Sequence, residues 1–122
     1  MSAKLSVVIP AYNEERFIGT LLERIRAVDL APLGLTTEII VVDDGSTDDT
    51  FALASQVSRE STRVTVRVVT KKNGGKADAL NTGLALARGE FVMCMDGDTK
   101  LSKNSLRAMV RHFDDPRVGG VA

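Results

Sequence analysis

The chain contains a single cysteine, Cys94, no tryptophan, and only 4% aromatic residues. One cysteine cannot form an internal disulfide, so we expect a reducing compartment, the cytoplasm, as the location. Few aromatic rings are available to stack on nucleic-acid bases. Acidic and basic residues balance at 16 each, which leaves no overall basic charge to attract nucleic acid or an anionic membrane. These shortages argue against a nucleic-acid-binding protein.

Long hydrophobic runs are also missing. No apolar stretch exceeds a handful of residues, so the sequence predicts no membrane span, and the amino terminus shows no signal-peptide pattern. The 122 residues are enough for one domain with a hydrophobic core. We therefore expect one cytoplasmic domain over 1–122.

Short apolar runs alternate with helical patterns along the chain. The runs at 5–9, 38–42, 64–69 and 91–95 predict four strands, and the last, the most apolar, is expected at the centre of the sheet. Helices are predicted over 16–28, from a cap at Ser46 or Thr47 to about 58, over 76–87, and after 102–104. Residues 118–122 predict the start of another strand. This alternation predicts an α/β fold with a mostly parallel sheet flanked by helices.

Polar residues collect after each of the four predicted strands, at 11–14, 43–46, 72–76 and 96–99. The carboxyl ends of parallel strands meet at one edge of a sheet, where ligands bind in open α/β folds. The four clusters are therefore expected to form one binding site.

Asp96 and Asp98 give the sharpest chemical signal. Two carboxylates separated only by Gly97 repel each other unless something compensates their charge. A hard divalent cation provides that compensation and can also hold diphosphate oxygens. The alternative is an ordinary Asp-Gly-Asp surface turn. Agreement among the neighbouring clusters favours the metal site.

Other residues carry weaker signals. Asp44 can accept hydrogen bonds from a base or ribose, although turn and capping chemistry also explains its cluster. Lys76, at a predicted helix start, is either a phosphate contact or an exposed lysine. Tyr12 either stacks on a nucleobase or packs locally. We expect Cys94 to be buried in the core and His112 to be structural or merely exposed.

Three motifs resemble family 2 glycosyltransferases of the GT-A fold: VVIPAYNE at 7–14, VVDDGST at 41–47 and DGD at 96–98. They occur in order and span almost the whole chain. NGGK at 73–76 with ALNTG at 79–83 is most similar to the processive branch, which includes synthases of poly-N-acetylglucosamine, cellulose, chitin and hyaluronan. The resemblance implies a Rossmann-like GT-A nucleotide-diphospho-sugar transferase fold and a metal-dependent site for a UDP-sugar.

The resemblance also implies residue roles. The nucleotide-sugar-binding residues would be Pro10, Ala11, Tyr12, Glu14, Asp44, Lys76 and Asp96. Within this set, 10–12 would line the nucleobase pocket with Glu14 nearby, Asp44 would bind the uracil or its ribose, and Lys76 would lie near the nucleotide or its phosphates. Asp98 would coordinate Mg²⁺ or Mn²⁺ bridging the diphosphate, and Asp96 would assist at the ribose or metal.

The implied reaction is inverting displacement at the anomeric carbon of the sugar, with a carboxylate base that deprotonates the acceptor hydroxyl. In the family this base lies beyond the position of Ala122. We therefore expect a donor-binding part that lacks the acceptor half and does not transfer sugar alone. The expected partners are a UDP-sugar and, through the regions missing from this chain, a glycan or lipid-linked acceptor. Because processive members carry membrane helices, the resemblance places the full-length protein in the cytoplasm or at the cytoplasmic face of a membrane. Two alternatives stay open: a polyprenyl-phosphate sugar transferase, and a non-catalytic nucleotide-sugar-binding or assembly module.

Overall fold

The computed structural model describes residues 3–102, 104–115, 117 and 119–120. Strands and helices alternate within them, as the sequence predicts. Two 3₁₀ turns, Ala31–Leu33 and Arg111–Asp114, accompany the regular elements. The elements in chain order are β1 Ala3–Ala11, α1 Ile18–Ala27, β2 Leu35–Asp43, α2 Thr50–Glu60, β3 Thr65–Thr70, α3 Lys76–Leu86, β4 Phe91–Cys94 and α4 Ser105–Val110.

The strands form one parallel sheet in the order β3-β2-β1-β4. The chain runs outward from β1 to β3 and then returns to pair β4 on the other side of β1. Helices α1 and α2 pack on one face of the sheet, and α3 packs on the other. This arrangement confirms the predicted α/β class and the Rossmann-like GT-A fold.

Alternate residues of the central strands supply the two faces of the core. Leu5, Val7 and Ile9 of β1 belong to the larger apolar cluster, which also contains buried residues of α1, α2 and α4. Ile40 and Val42 of β2 pack on the opposite face with Ala79 of α3. Because helices cover both faces, β1 and β2 are apolar along nearly their whole length.

Among the described strands, the fourth lies at one edge of the sheet and not at the predicted centre. In the part of the chain that the structure describes, β4 pairs with β1 alone. Met93 is buried at 8% exposure, but Val92 is 40% exposed on the opposite face and Cys94 is also exposed. Cys94 is therefore not the core residue that its apolar neighbours predict. Apolar composition indicates burial of one face at least, but it does not tell a central strand from an outer one.

Buried polar groups link the sheet to the connection between α3 and β4. Ser6 Oγ donates to Glu38 Oε2 at 2.6 Å, and the Arg88 N–H donates to the same oxygen at 2.7 Å. The Gly89 N–H donates to Ser6 Oγ at 2.8 Å. Burial raises the pKa of Glu38, but these hydrogen bonds and nearby basic side chains outweigh it and hold the pKa below its usual value. The charged carboxylate thus holds the segment from which β4 begins.

The last elements are shorter than predicted. α4 ends at Val110, and His112 lies exposed in the following 3₁₀ turn. The strand predicted over 118–122 falls largely outside the described residues. Among the described helices, none combines the length and the apolar character that crossing a bilayer requires.

Candidate functional site

The switch in strand order creates a crevice between the carboxyl ends of β1 and β4. Ala11 at the end of β1 lies opposite Asp43 of β2, whereas Cys94 at the end of β4 lies opposite Val8. The Met95 N–H then donates to the Val8 carbonyl at 3.0 Å, which leads the following turn past the end of β1. Ligands of open α/β sheets bind at such a switch point.

A cavity of about 280 Å³ occupies this crevice. It brings together residues from all four polar clusters, and its lining contains every residue to which the sequence assigns donor or metal binding. These residues are Pro10, Ala11, Tyr12, Glu14, Asp44, Lys76, Asp96 and Asp98. A second cavity of about 490 Å³ shares Pro10, Lys76 and Asp96 with it and extends along β4 to α4.

The loops after β1 and β2 hold each other through side chain–backbone hydrogen bonds. Asn13 has a φ of 53°, and its Oδ1 accepts from the Thr47 N–H at 2.8 Å. The Asn13 N–H donates to Ser46 Oγ at 2.9 Å, and the Glu14 N–H donates to Thr50 Oγ1 at 2.8 Å. These bonds fix the backbone of the β1 loop, and with it the floor of the crevice.

The same bonds explain why the predicted cap of α2 is wrong. Ser46 and Thr47 hydrogen-bond Asn13, so α2 begins later, at Thr50, whose N–H donates to Asp48 Oδ1 at 3.0 Å. The role of Asn13 was missed. The one feature of the sequence that could have indicated this role is the residue type, because asparagine adopts the left-handed backbone conformation more readily than most residues.

Asp44 is buried and anchors the loop that follows β3. Its Oδ1 accepts from Lys71 Nζ at 2.9 Å and from the Gly74 N–H at 3.0 Å, and its Oδ2 accepts from the Gly75 N–H at 3.0 Å. Burial raises the pKa of Asp44, but these hydrogen bonds and the Lys71 charge outweigh it and hold the pKa below its usual value. Three of about four acceptor positions on the carboxylate are thus occupied.

Lys71 is a second residue that sequence reasoning missed. Besides Asp44 it forms an ion pair with Asp78 in the first turn of α3, and only 18% of its side chain is exposed. Gly45 lets the loops approach, since its φ is 74° and a Cβ there would lie 2.8 Å from the Asn73 nitrogen. A lysine in a polar loop carries no local signal for this tertiary contact.

The Asp96-Gly97-Asp98 turn packs against the β1 loop. A Cβ on Gly97 would lie 2.9 Å from Glu14 Cγ, so a glycine is needed for this approach. The turn places two carboxylates near Glu14. Burial raises the pKa of Glu14, and the negative charges of Asp98 and other nearby carboxylates raise it further. The crevice therefore carries a concentration of negative charge.

Lys76, the first residue of α3, offsets part of this charge. Its Nζ lies 2.5 Å from Asp96 Oδ1, and the two side chains are 63% and 54% exposed. The hydrogen bond to Asp96, the charge of Asp96 and the charge of Asp98 all raise the pKa of Lys76. The ammonium group is thus held at the rim of the crevice by the carboxylates predicted to bind the metal.

The donor set fits a hard divalent cation that is shared with a ligand. Asp96 and Asp98 offer oxygen ligands only, and in addition to burial their negative charges raise the pKa of Glu14. In the described ranges, no group of three or more His, Cys, Asp or Glu side chains could hold a metal unaided. Mg²⁺ commonly takes one or two carboxylates, with waters and substrate phosphates completing its octahedron. The two aspartates suffice if a diphosphate supplies further oxygens.

Curated relatives match nearly the whole chain. The dodecaprenyl-phosphate galacturonate synthase of Rhizobium johnstonii is 36% identical over 114 residues, which are 93% of this chain and 33% of that protein. The poly-beta-1,6-N-acetyl-D-glucosamine synthase of Staphylococcus aureus is 31% identical over 118 residues, 96% of this chain and 27% of that protein. The chain thus spans between about a quarter and a third of the length of these relatives.

Solved structures match the fold at similar identity. The mannosyltransferase PcManGT from Pyrobaculum calidifontis, in complex with GDP-Man and Mn²⁺, has a TM-score of 0.85 and 32% identity, covering 98% of this chain and 34% of that one. TarS of S. aureus, in complex with UDP-GlcNAc, has a TM-score of 0.75 and 31% identity, covering 92% and 31%.

The sequence model of glycosyl transferase family 2 matches residues 6–122. The match includes all three motifs that carry the resemblance, together with the strands that bring them to one edge of the sheet. The chain belongs to glycosyltransferase family 2.

Proposed function

We propose that the chain is the donor-binding part of an inverting glycosyltransferase and that it binds a UDP-sugar together with Mg²⁺ or Mn²⁺. The observation that carries this proposal is one cavity lined by the end of β1, Asp44, Lys76 and both aspartates of the 96–98 turn. The family membership and the nucleotide-sugar complexes of the two solved relatives support it.

The nucleoside would lie over the end of β1. Tyr12 is 47% exposed beside the cavity, which makes its ring available for stacking on a base. Asp44 has one acceptor position beyond its internal bonds, and this position would serve the base or the ribose. Pro10 and Ala11 would supply the apolar floor.

The diphosphate would lie between the 96–98 turn and the start of α3. Asp98, assisted by Asp96, would hold the metal there. When bound, the cation would neutralise the charge that develops on the departing nucleoside diphosphate. Lys76 would add a positive charge at a helix amino terminus, where phosphate groups are favoured. The cavity along β4 adjoins this position and offers room for the sugar.

The acceptor separates two forms of the proposal. Transfer to a growing polysaccharide is supported by the 31% identical poly-beta-1,6-N-acetyl-D-glucosamine synthase. Transfer to a polyprenyl phosphate is the second candidate, and it is favoured by the 36% identical dodecaprenyl-phosphate galacturonate synthase. Both forms share the donor site, so donor binding is the first property to test.

Calorimetric titration with UDP, with and without Mn²⁺, tests the donor site. We expect binding that depends on the metal and that weakens at least about tenfold in Asp98→Ala, because even outer-sphere changes at metal sites cost this much. Asp29→Ala, in the connection from α1 to β2, is the matched control and should bind like the wild type. Equal, metal-independent binding by wild type and Asp98→Ala would favour a non-catalytic module. Binding of GDP in place of UDP would correct the base assignment.

A further inference from the structure

The two lysines at the crevice are held very differently. Lys71 is largely buried and bonds both Asp44 and Asp78, so its place is fixed by the fold. Lys76 is largely exposed and has its described ion pair with Asp96 alone. An exposed ion pair contributes little stability, so Lys76 can leave Asp96 without disturbing the fold.

A divalent cation and the Lys76 ammonium compete for the same carboxylate. Nζ lies 2.5 Å from Asp96 Oδ1, within the coordination space of that oxygen. A divalent ion on Asp96 would place two positive charges beside the ammonium, and the two would repel each other. The ammonium would then be free to contact the diphosphate, which in the proposed complex lies beside it at the start of α3.

We propose that Lys76 is an internal counter-ion that occupies Asp96 in the empty site and transfers to the donor diphosphate when metal and nucleotide bind together. This inference deepens the proposed donor function and rests on it. Lys76 thereby opposes binding of metal alone and favours binding of metal with nucleotide. The site is thus biased against filling with metal before the donor arrives.

The substitution Lys76→Met tests both effects of the lysine, since it should strengthen the binding of metal alone and weaken the binding of nucleotide with metal. Affinity for Mn²⁺ alone should rise about two- to fivefold, the range expected when an exposed ion pair is removed. Affinity for UDP at saturating Mn²⁺ should fall about fivefold or more, because a charge-assisted contact with phosphate is lost. Lys76→Arg keeps the charge and should stay close to the wild type in both measurements.

Lys72→Met is the matched control. Lys72 is an exposed lysine in the same loop, and it takes part in no ion pair among the described side chains. The control removes the same charge four residues away and should change neither affinity by more than about twofold. Mn²⁺ binding is measured by electron paramagnetic resonance of the free ion, UDP binding by calorimetry, and the folded state of each variant by thermal unfolding.

The outcomes separate this inference from the donor function. Wild-type binding of UDP with Mn²⁺, combined with an unchanged or lower Mn²⁺ affinity in Lys76→Met, overturns the counter-ion role and leaves the donor function standing. A higher Mn²⁺ affinity with unchanged UDP binding overturns the transfer to phosphate. Failure of folded wild type to bind UDP with Mn²⁺ overturns the donor function, and the transfer with it.

Discussion

At the residue scale, the carboxylates of the crevice differ in what satisfies them. Asp44 is buried, and protein donors hold it through three hydrogen bonds. Asp96 is exposed and forms an ion pair with Lys76. Burial raises the pKa of Glu14, and the neighbouring carboxylates raise it further. Asp44 therefore stabilises the loop after β3, in addition to its proposed contact with the nucleoside. The exposed aspartates can exchange their partner for a cation.

Replacement of Asp44 by asparagine should destabilise the folded chain. The amide keeps one acceptor but turns a donor toward backbone N–H groups, and we expect a loss of about 2 kcal/mol at pH 7. The folded-state pKa is held below the usual value of about 3.9, so the unfolded chain binds the proton first as the pH falls. The stabilisation from the charged carboxylate is thus complete from about one pH unit above the unfolded-state pKa, and it is lost as the pH falls through the folded-state pKa.

Urea unfolding at pH 7 and at steps down to pH 3 measures this difference. Glu90→Gln, an exposed carboxylate before β4, is the control and should match the wild type throughout. A stability difference for Asp44→Asn that does not depend on pH would show that the carboxylate charge is not what holds the 71–75 loop.

At the scale of elements, α3 approaches the sheet more closely than α1 does. A Cβ on Gly83 of α3 would overlap the side chain of Val8 and lie 3.2 Å from Val42 Cγ2, whereas a Cβ on Gly19 of α1 would meet nothing within 4 Å. Glycine is a poor helix former, so alanine normally stabilises a helix by up to about 1 kcal/mol. At position 83 the close packing against Val8 and Val42 favours glycine and outweighs the helix preference for alanine.

The same substitution should therefore have opposite effects in the two helices. Gly19→Ala should raise the free energy of unfolding by up to about 1 kcal/mol, and Gly83→Ala should lower it by about 1 to 3 kcal/mol through overpacking against β1 and β2. Chemical denaturation of both variants provides the comparison. If Gly83→Ala were as stable as Gly19→Ala, the close packing of α3 on the sheet would be wrong.

At the scale of the whole molecule, one face of β4 lies open, since Val92 and Cys94 on that face are exposed. The chain has one cysteine, Cys94, and it lies on that exposed face. We expect a thiol reagent such as Ellman's to label Cys94 in the folded protein without denaturant. Partial burial raises the pKa of the thiol, so the labelling rate should increase with pH to beyond the usual thiol range.

The adjacent residue provides the control for this labelling. Met93 is buried on the other face of β4, so Met93→Cys in a Cys94→Ser background should react far more slowly. Labelling in denaturant gives the full thiol count for both proteins. Equal protection of the two positions in the folded state would show that both faces of β4 are covered, contrary to the described exposure of Cys94.

The amino-acid sequence alone predicts the fold class, the family and the residues that line the candidate site. Its apolar periods alternate between strand and helix, which is a local signal carried by successive residues. A parallel sheet brings the carboxyl ends of its strands to one edge, so polar clusters after each strand had to converge. That is why every residue assigned to donor or metal binding lines one cavity. Their individual roles stay predictions.

The folded structure is needed to show which of the described strands lies at the edge of the sheet and which polar groups pair. β4 and β1 are both apolar, and their order depends on the crossover direction rather than on composition. The bonds of Glu38 to Ser6, of Asn13 to Thr47 and of Asp44 to the loop after β3 join residues about 30 positions apart. Such contacts depend on strand register and loop geometry, which no local pattern in the sequence encodes.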